Sequence, residues 1–333
     1  MEEIIKNTVI STRVRLARNF KGYPFPSGLV KTQADILVKK VVSALGSGYR
    51  AYSINGLGEM ESGTLMEKHL ISKELLRSKF GSVIVSDDES VGVMVNEEDH
   101  VRIQVILRGC ALDEAYDKAD VIDDKISEKS AYAFSERLGY LTACPTNLGT
   151  GLRASIMMFL PALSMTDTLE KTIKQFGSNI TVRGEYGEGS KADGFVYQIS
   201  NARTLGLPEK EFCSLVYSAV IKLAEKEKQA REFIIKERTV EITDEIMRAY
   251  GIASNAYSLS EKELARLVAL IKLGAYYGIL KVARLNDLDD LVTAVKPYTL
   301  TATAPDGSVS DEVAKSVYRA KLVRETINSI VTK

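Results

Sequence analysis

Net charge is missing from this sequence: 44 lysines and arginines balance 44 aspartates and glutamates. That leaves no bulk cationic field for nucleic acid or a membrane surface, only local basic patches. Cysteine is scarce as well. Cys110, Cys144 and Cys213 stand too far apart for a disulfide framework or a zinc site, and three free thiols suit a reducing cytoplasm. No long apolar run is present. The longest, Ala154 to Met165, is interrupted by Pro161 and is too short to span a bilayer. Glu2 and Glu3 carry the wrong charge for the start of a secretory signal. Internal repeats and low-complexity tracts are absent too. What remains is an ordinary globular composition, 45% hydrophobic and 26% charged, with enough chain for one large domain or two medium ones.

Short alternating runs from Ser82 to Leu107, broken at Asp87-Asp88-Glu89 and at Glu97-Glu98-Asp99, predict an antiparallel meander. Ala111 to Arg137 reads as one long helix. Leu152 to Leu163 and Asp167 to Phe176 are further helix candidates, and Ile180 to Arg183 and Phe195 to Ser200 read as strands. Strands and helices mix without strict alternation, which predicts an α+β fold with an antiparallel or mixed sheet flanked by helices. After Leu207 the apolar spacing becomes helical and stays so. Ser258-Leu-Ser-Glu261 has the form of a capping box ahead of Leu264, Leu267, Val268 and Ile271. Pro297 to Val309 reads as a loop, and Ser310 can start the last helix. The expected division is a catalytic part over 1–235 and a helical part over 236–333.

Neither standard nucleotide motif is convincing. Gly149-Thr-Gly151-Leu-Arg-Ala154 matches GxGxxA, but that fingerprint needs a strand before it and an acidic residue ending the next strand. Gly187-Glu-Gly189-Ser-Lys191 lacks the spacing of a phosphate loop. Arginines stand out instead, next to glycines and strand ends: Arg13, Arg15, Arg102, Arg153 and Arg183. A guanidinium is permanently charged and meets phosphate oxygens through a fork of donors, so several together could hold a triphosphate. Arg13 and Arg15 share a face if their segment is extended. Any one of these arginines, taken alone, is more simply a solvated surface charge.

Cys144-Pro-Thr-Asn-Leu-Gly-Thr-Gly151 resembles the signature of the phosphagen-kinase superfamily. Ser11-Thr-Arg-Val-Arg-Leu-Ala-Arg-Asn19, Asn96-Glu-Glu-Asp-His-Val-Arg-Ile-Gln104 and Gly151-Leu-Arg-Ala-Ser155 are similar to its other blocks, in the same order. RGEYGEGS after Val182 and the MEKHLIS segment are more similar to the bacterial McsB branch than to creatine kinases, and the tail from Arg248 to Ile279 resembles that branch's helical C-terminal region. The resemblance implies a glutamine-synthetase-like catalytic fold and phosphoryl transfer from ATP, with Mg²⁺, to a guanidino nitrogen. It implies that Ser11, Arg13, Arg15, His69, Arg102, Arg153 and Arg183 surround the nucleotide, and that Glu98, Glu188 and Cys144 serve the acceptor.

Those acceptor residues suit the chemistry. Deprotonating a guanidinium outright at pH 7 costs about 7–9 kcal/mol, whereas a positioned carboxylate can take the proton as attack proceeds. Only ten residues precede Ser11, which points to an open acceptor side and to arginine on a polypeptide rather than a small guanidine. By resemblance the partners are arginine-bearing proteins, a zinc-binding activator of the McsA type, a transcriptional repressor and a Clp unfoldase. A homodimer without nucleic acid or membrane partners is also expected. One departure stands out. Lys315 and Ser316 occupy the places of the arginine and aspartate of the branch's RDxxR phosphoarginine motif, with only Arg319 in register. Stimulation by phosphoarginine is therefore expected to be weak or absent.

Overall fold

The computed structural model describes residues 2–184, 192, 194–305, 309 and 311–333. In chain order the first half comprises α1 (Glu2–Lys6), β1 (Val9–Arg18), α2 (Lys31–Leu45), β2 (Tyr49–Ser53), α3 (Glu59–Glu67), α4 (Lys73–Leu76), β3 (Ser82–Ser86), β4 (Val91–Val95), β5 (Val101–Arg108) and α5 (Leu112–Lys129). Next come a small hairpin of β6 (Phe134–Ser135) and β7 (Gly139–Tyr140), then β8 (Leu152–Phe159), α6 (Pro161–Met165), α7 (Leu169–Lys174), β9 (Ile180–Gly184) and β10 (Val196–Asn201). The remainder is α8 (Glu209–Glu237), α9 (Thr239–Asn255), α10 (Glu261–Tyr276), β11 (Lys281–Val282), α11 (Leu285–Ala294), α12 (Pro297–Thr303), α13 (Glu312–Ile330) and β12 (Val331–Thr332).

Eight strands form one sheet in the order β2-β3-β4-β5-β1-β8-β10-β9, with every neighbouring pair antiparallel. Helices α2, α5 and α8 pack on one face. There Val14, Leu16, Ile103, Val105, Leu152, Ala154 and Ile156 are fully buried. The other face is covered at its β3–β4 end by Leu70, Ile71 and Leu75, which pack on Val83, Val85 and Met94. Over its middle strands that face carries the arginines. A second apolar cluster joins α9, α10, α11 and α13 through Ile246, Leu264, Ile271, Leu288, Val323 and Ile327. Helix α8 is continuous between the two, giving Val216 and Val220 to the sheet and Ile234 to the helical cluster. The fold is thus α+β, an antiparallel sheet flanked by helices with a helical C-terminal region. Among the described residues no helix is long and apolar enough to cross a membrane.

Four local expectations are corrected. Leu152 to Phe159 is a central strand, not a helix. It is apolar on its covered face and mixed on the other (Arg153, Ser155, Met157), and a buried strand of this kind cannot be told from a buried helix by periodicity. Pro161 then occupies the first turn of α6, where its missing N–H costs nothing. Helix α5 ends at Lys129 rather than Arg137, because Tyr132 leaves the helical path to pack on Phe20 and Tyr140. The cap of α10 is Ser260, which accepts from the Glu263 N–H at 3.2 Å, whereas Ser258 bonds the Ser316 hydroxyl. Within the expected loop, Pro297 to Thr303 is helix α12. Ser310 lies outside the described residues; Asp311 caps α13 by accepting from the Ala314 N–H at 2.8 Å.

Candidate active site

β1 is the axis of the site. Its residues alternate between faces, so Ser11, Arg13 and Arg15 point to the open side, while Val14, Leu16 and Arg18 point to the helices. The parity separates two kinds of arginine. Arg18 is buried and neutralised by Asp123 at 2.8 Å and Glu209 at 3.0 Å, and its guanidinium stacks 3.6 Å from the Tyr140 ring centre. Among the described residues Arg15 has no such partner, and its Nε is buried without a hydrogen bond.

The neighbouring strands add to the same face. Arg15 lies opposite Gln104 of β5 and opposite Arg153 of β8. Arg102 is two residues from Gln104 and shares its face. At the far edge Arg183 of β9 lies opposite Gln198 of β10, and the Gln198 Oε1 accepts from Arg13 Nη2. Burial, then Arg13, Arg102 and Arg153, push Arg15 well below the usual arginine range, against the pull of Glu97. Arg153 is pushed down by burial, then by Arg183 and Arg102. Arginine stays ionised under such pressure, so the cluster is a standing demand for an anion.

The Asn96–His100 turn supplies the carboxylates. Asn96 takes a left-handed φ of 58°, and its N–H donates to the His100 carbonyl at 3.0 Å. Three acids follow in sequence, and the fold treats them differently. Glu97 is buried and receives Arg102 Nη1 at 2.8 and 3.0 Å on its two oxygens, together with the Ser72 hydroxyl. Asp99 Oδ1 accepts from Asn19 Nδ2 at 2.6 Å and from the Ala143 N–H at 2.7 Å. Among the described residues the Glu98 carboxylate makes no hydrogen bond or ion pair. Partial burial, Asp99 and Glu97 raise its pKa against the pull of Arg102.

Asp99 also explains how Cys144 reaches the site. Its bond to Ala143 draws the residue before Cys144 against the residue after Glu98. The Cys144 thiol lies 3.0 Å from the Thr146 hydroxyl, at the start of the 3-10 turn Pro145–Asn147. The glycines that follow serve backbone approach rather than a pyrophosphate turn. Gly149 has φ 102° and a Cβ there would lie 2.3 Å from the Thr204 carbonyl oxygen; Gly151 has φ 62° and a Cβ would lie 2.5 Å from that of Ala17. The segment then enters a strand, not a helix, so the dinucleotide fingerprint has no structural counterpart here.

A cleft of about 190 Å³ results, lined by Arg15, Arg102, Cys144 and Arg153 and by all three acids of the turn, Glu97, Glu98 and Asp99. Arg13 and Ser11 lie along β1 beyond it, and Arg183 stands exposed on the edge strand. His69 is exposed, at φ 60°, and does not line the cleft; its carbonyl accepts from Gln104 Nε2. Glu188 lies outside the described residues. Sequence reasoning passed over Thr146 and Asn147 on the cleft wall, although both sit inside the quoted signature. It also missed Gln104 and Gln198, whose only signal is their spacing on the arginine-bearing strands.

Comparison with known proteins agrees with this geometry. The family model for the ATP:guanido phosphotransferase C-terminal catalytic domain matches residues 34–230, and that for the protein-arginine kinase McsB C-terminal domain matches residues 239–333. The chain is 41% identical to the protein-arginine kinase of Caldanaerobacter subterraneus subsp. tengcongensis, covering 97% of this chain and 98% of that one. It is 39% identical to that of Bacillus subtilis, with coverages of 96% and 90%. Among solved structures, lombricine kinase superposes with a TM-score of 0.60 at 26% identity, over 67% of each chain. The duplicated taurocyamine kinase from Schistosoma mansoni gives 0.63 at 26% identity, over 78% of this chain and 39% of that one. A sheet face of arginines beside the acids of the Asn96–His100 turn, an arrangement suited to phosphoryl transfer, thus coincides with a match along nearly the whole chain, which belongs to the ATP:guanido phosphotransferase family, in its protein-arginine kinase branch, and is a guanido phosphotransferase enzyme.

Proposed function

We propose that this enzyme transfers the γ-phosphoryl group of ATP to arginine side chains of proteins. The observation that carries the reading is the meeting, in one cleft, of Arg15 and Arg153, which repel neighbouring guanidinium groups, with Glu98, whose carboxylate makes no ion pair among the described residues. The arginines take the ATP phosphates, and Glu98 takes the acceptor. Arg13, Arg15, Arg102, Arg153 and Arg183 spread positive charge over the equatorial oxygens of the transferring group, where a loose transition state carries its charge. As the acceptor nitrogen bonds to phosphorus and the bond to the ADP oxygen breaks, Glu98 receives the guanidinium proton. Cys144 flanks the acceptor in a supporting role. The parts given to Ser11, His69 and Glu188 rest on family resemblance alone. Among the described residues no three metal-ligating side chains come together, so Mg²⁺ is assigned to the nucleotide's own oxygens and water.

Protein arginine is preferred over a small guanidine because the C-terminal match and the protein-arginine kinase relatives run the length of the chain. The same proposal divides the chain into a catalytic part over 1–235 and a helical part over 236–333, close to Arg238, where the backbone leaves the helix at φ −131°. On resemblance alone it extends to a cytoplasmic homodimer working in Clp-type quality control with an McsA-type activator and a repressor substrate. Incubation with ATP and either unfolded casein or free arginine tests the acceptor, read by mass spectrometry under conditions that spare the acid-labile N–P bond. Phosphoarginine in casein is the expected product. Turnover of free arginine alone would make the enzyme a small-guanidine kinase, and ATP binding without turnover on either would make it an adaptor.

A further inference from the structure

Glu67 ends α3, and its carboxylate reaches into the C-terminal region. It accepts from the N–H of Tyr298 at 2.8 Å, from the N–H of Thr299 at 2.7 Å and from the Thr299 hydroxyl at 2.8 Å. Lys296 Nζ lies 3.5 Å from the Glu67 carbonyl oxygen. One turn earlier Gly63 leaves room for Tyr298; a Cβ on residue 63 would lie 2.2–2.6 Å from the tyrosine ring carbons. A carboxylate on the N–H groups that open a helix is a charge-assisted cap. Here the cap comes from another part of the fold.

The five residues after Glu67 run onto the arginine face. The His69 carbonyl accepts from Gln104 Nε2, beside Arg15. Leu70 is buried, with its carbonyl close over Gly92, where a Cβ would lie 3.0 Å away. The Ser72 hydroxyl donates to Glu97, which holds Arg102 through both oxygens. Six consecutive residues therefore connect α12 to Gln104 and to the Glu97–Arg102 pair.

We propose that Glu67 is a positioning residue for phosphoryl transfer. By holding α12 it fixes the 67–72 segment, and through Ser72 and His69 it sets the position from which Arg102 grips phosphate. The inference rests on the reading of Arg102 as a phosphate contact. A partner or ligand that displaces α12 would then change the hold on ATP without touching the cleft.

The test uses the full chain and MgATP alone, so that it does not depend on the identity of the acceptor. Glu67→Gln is expected to weaken MgATP binding about fivefold, read by calorimetry. Thr299→Val should shift the affinity in the same direction, and Thr299→Ser should restore it. The Glu67→Gln, Thr299→Val double variant should be little worse than Glu67→Gln, because both break one contact. A lower melting temperature with parental MgATP affinity in Glu67→Gln or Thr299→Val would make the clamp purely structural and overturn the proposal. If Glu67→Gln does not fold, the Thr299→Val and Thr299→Ser pair decides alone. Arg102→Lys is the control: unchanged affinity there would remove Arg102 from the phosphate clamp, a failure distinct from that of Glu67.

Discussion

Arg15 and Arg153 stand directly opposite each other across β1 and β8, two like charges on one face of the ladder. Such a pair destabilises a sheet, and here Arg13 and Arg102 add to the repulsion on Arg15. The helices packed on the opposite face of the sheet hold the strands in this register. An anion relieves it, which makes phosphate binding favourable before any specific hydrogen bond is counted.

Replacing Arg153 by lysine keeps the charge but loses the fork. We expect kcat/KM to fall by about a hundredfold or more. Steady-state kinetics with saturating acceptor would show this, and a near-parental rate would reduce Arg153 to a point charge.

Glu98→Gln should retain MgATP binding and lose about a hundredfold or more in kcat. A base works only when ionised, so activity falls as pH drops through its pKa. Because that pKa is raised, the acid limb should lie above the range of an ordinary glutamate. Asp99→Asn can keep both bonds through Oδ1 while removing one charge that raises Glu98, so its limb should move to lower pH. A pH–rate profile unchanged by Asp99→Asn would remove Glu98 as the titrating group.

His100 holds the other end of the turn. Its Nδ1 accepts from the Phe20 N–H at 3.0 Å, and its Nε2 lies 2.8 Å from the Pro24 carbonyl, an arrangement that requires the neutral ring. Burial lowers its pKa despite Pro24. With the folded value below the unfolded one of about 6.5, full stability holds above that value and is lost as pH falls toward the folded pKa. The melting-temperature advantage of the parent over His100→Gln should therefore shrink from about pH 7.5 to about pH 5.5. A constant difference would contradict the neutral-ring assignment.

Thiol reagents at neutral pH should label Cys144 first and cut activity. Burial pushes the Cys213 thiol up to about 12 and also raises Cys110, so neither competes well. Cys144→Ser should lose less activity than Glu98→Gln. Alkylation mapped to Cys144 with full activity retained would place the thiol away from the acceptor.

Arg319 is buried, with Nε donating to the Val295 carbonyl at 3.1 Å and Nη1 to that of Leu259 at 2.9 Å. Lys315 pairs with Glu312 at 2.8 Å, and Ser316 bonds Val313 and Ser258. Calorimetry on the full chain should find weak or no phosphoarginine binding outside the cleft, and Arg319→Ala should cost about 2 kcal/mol of stability. Micromolar binding at a site abolished by Arg319→Ala would show a working pocket.

Local order was legible wherever neighbours in sequence are also the relevant neighbours in space. The two-residue period of Arg13 and Arg15, the Ser82–Leu107 meander and the long helix after Pro208 follow from backbone geometry and apolar spacing alone. The tertiary structure decided what depends on distant partners. Arg18 differs from Arg15 because Asp123 and Glu209 meet it behind the sheet. Glu98 is the available acid of three because Arg102 occupies Glu97 and Asn19 and Ala143 occupy Asp99. Leu152 to Phe159 is a strand because β1 and β10 flank it. Pro297 to Thr303, rich in weak helix formers, is a helix capped by Glu67, a carboxylate 231 positions from Tyr298 in sequence. Periodicity carries no record of a contact at that separation.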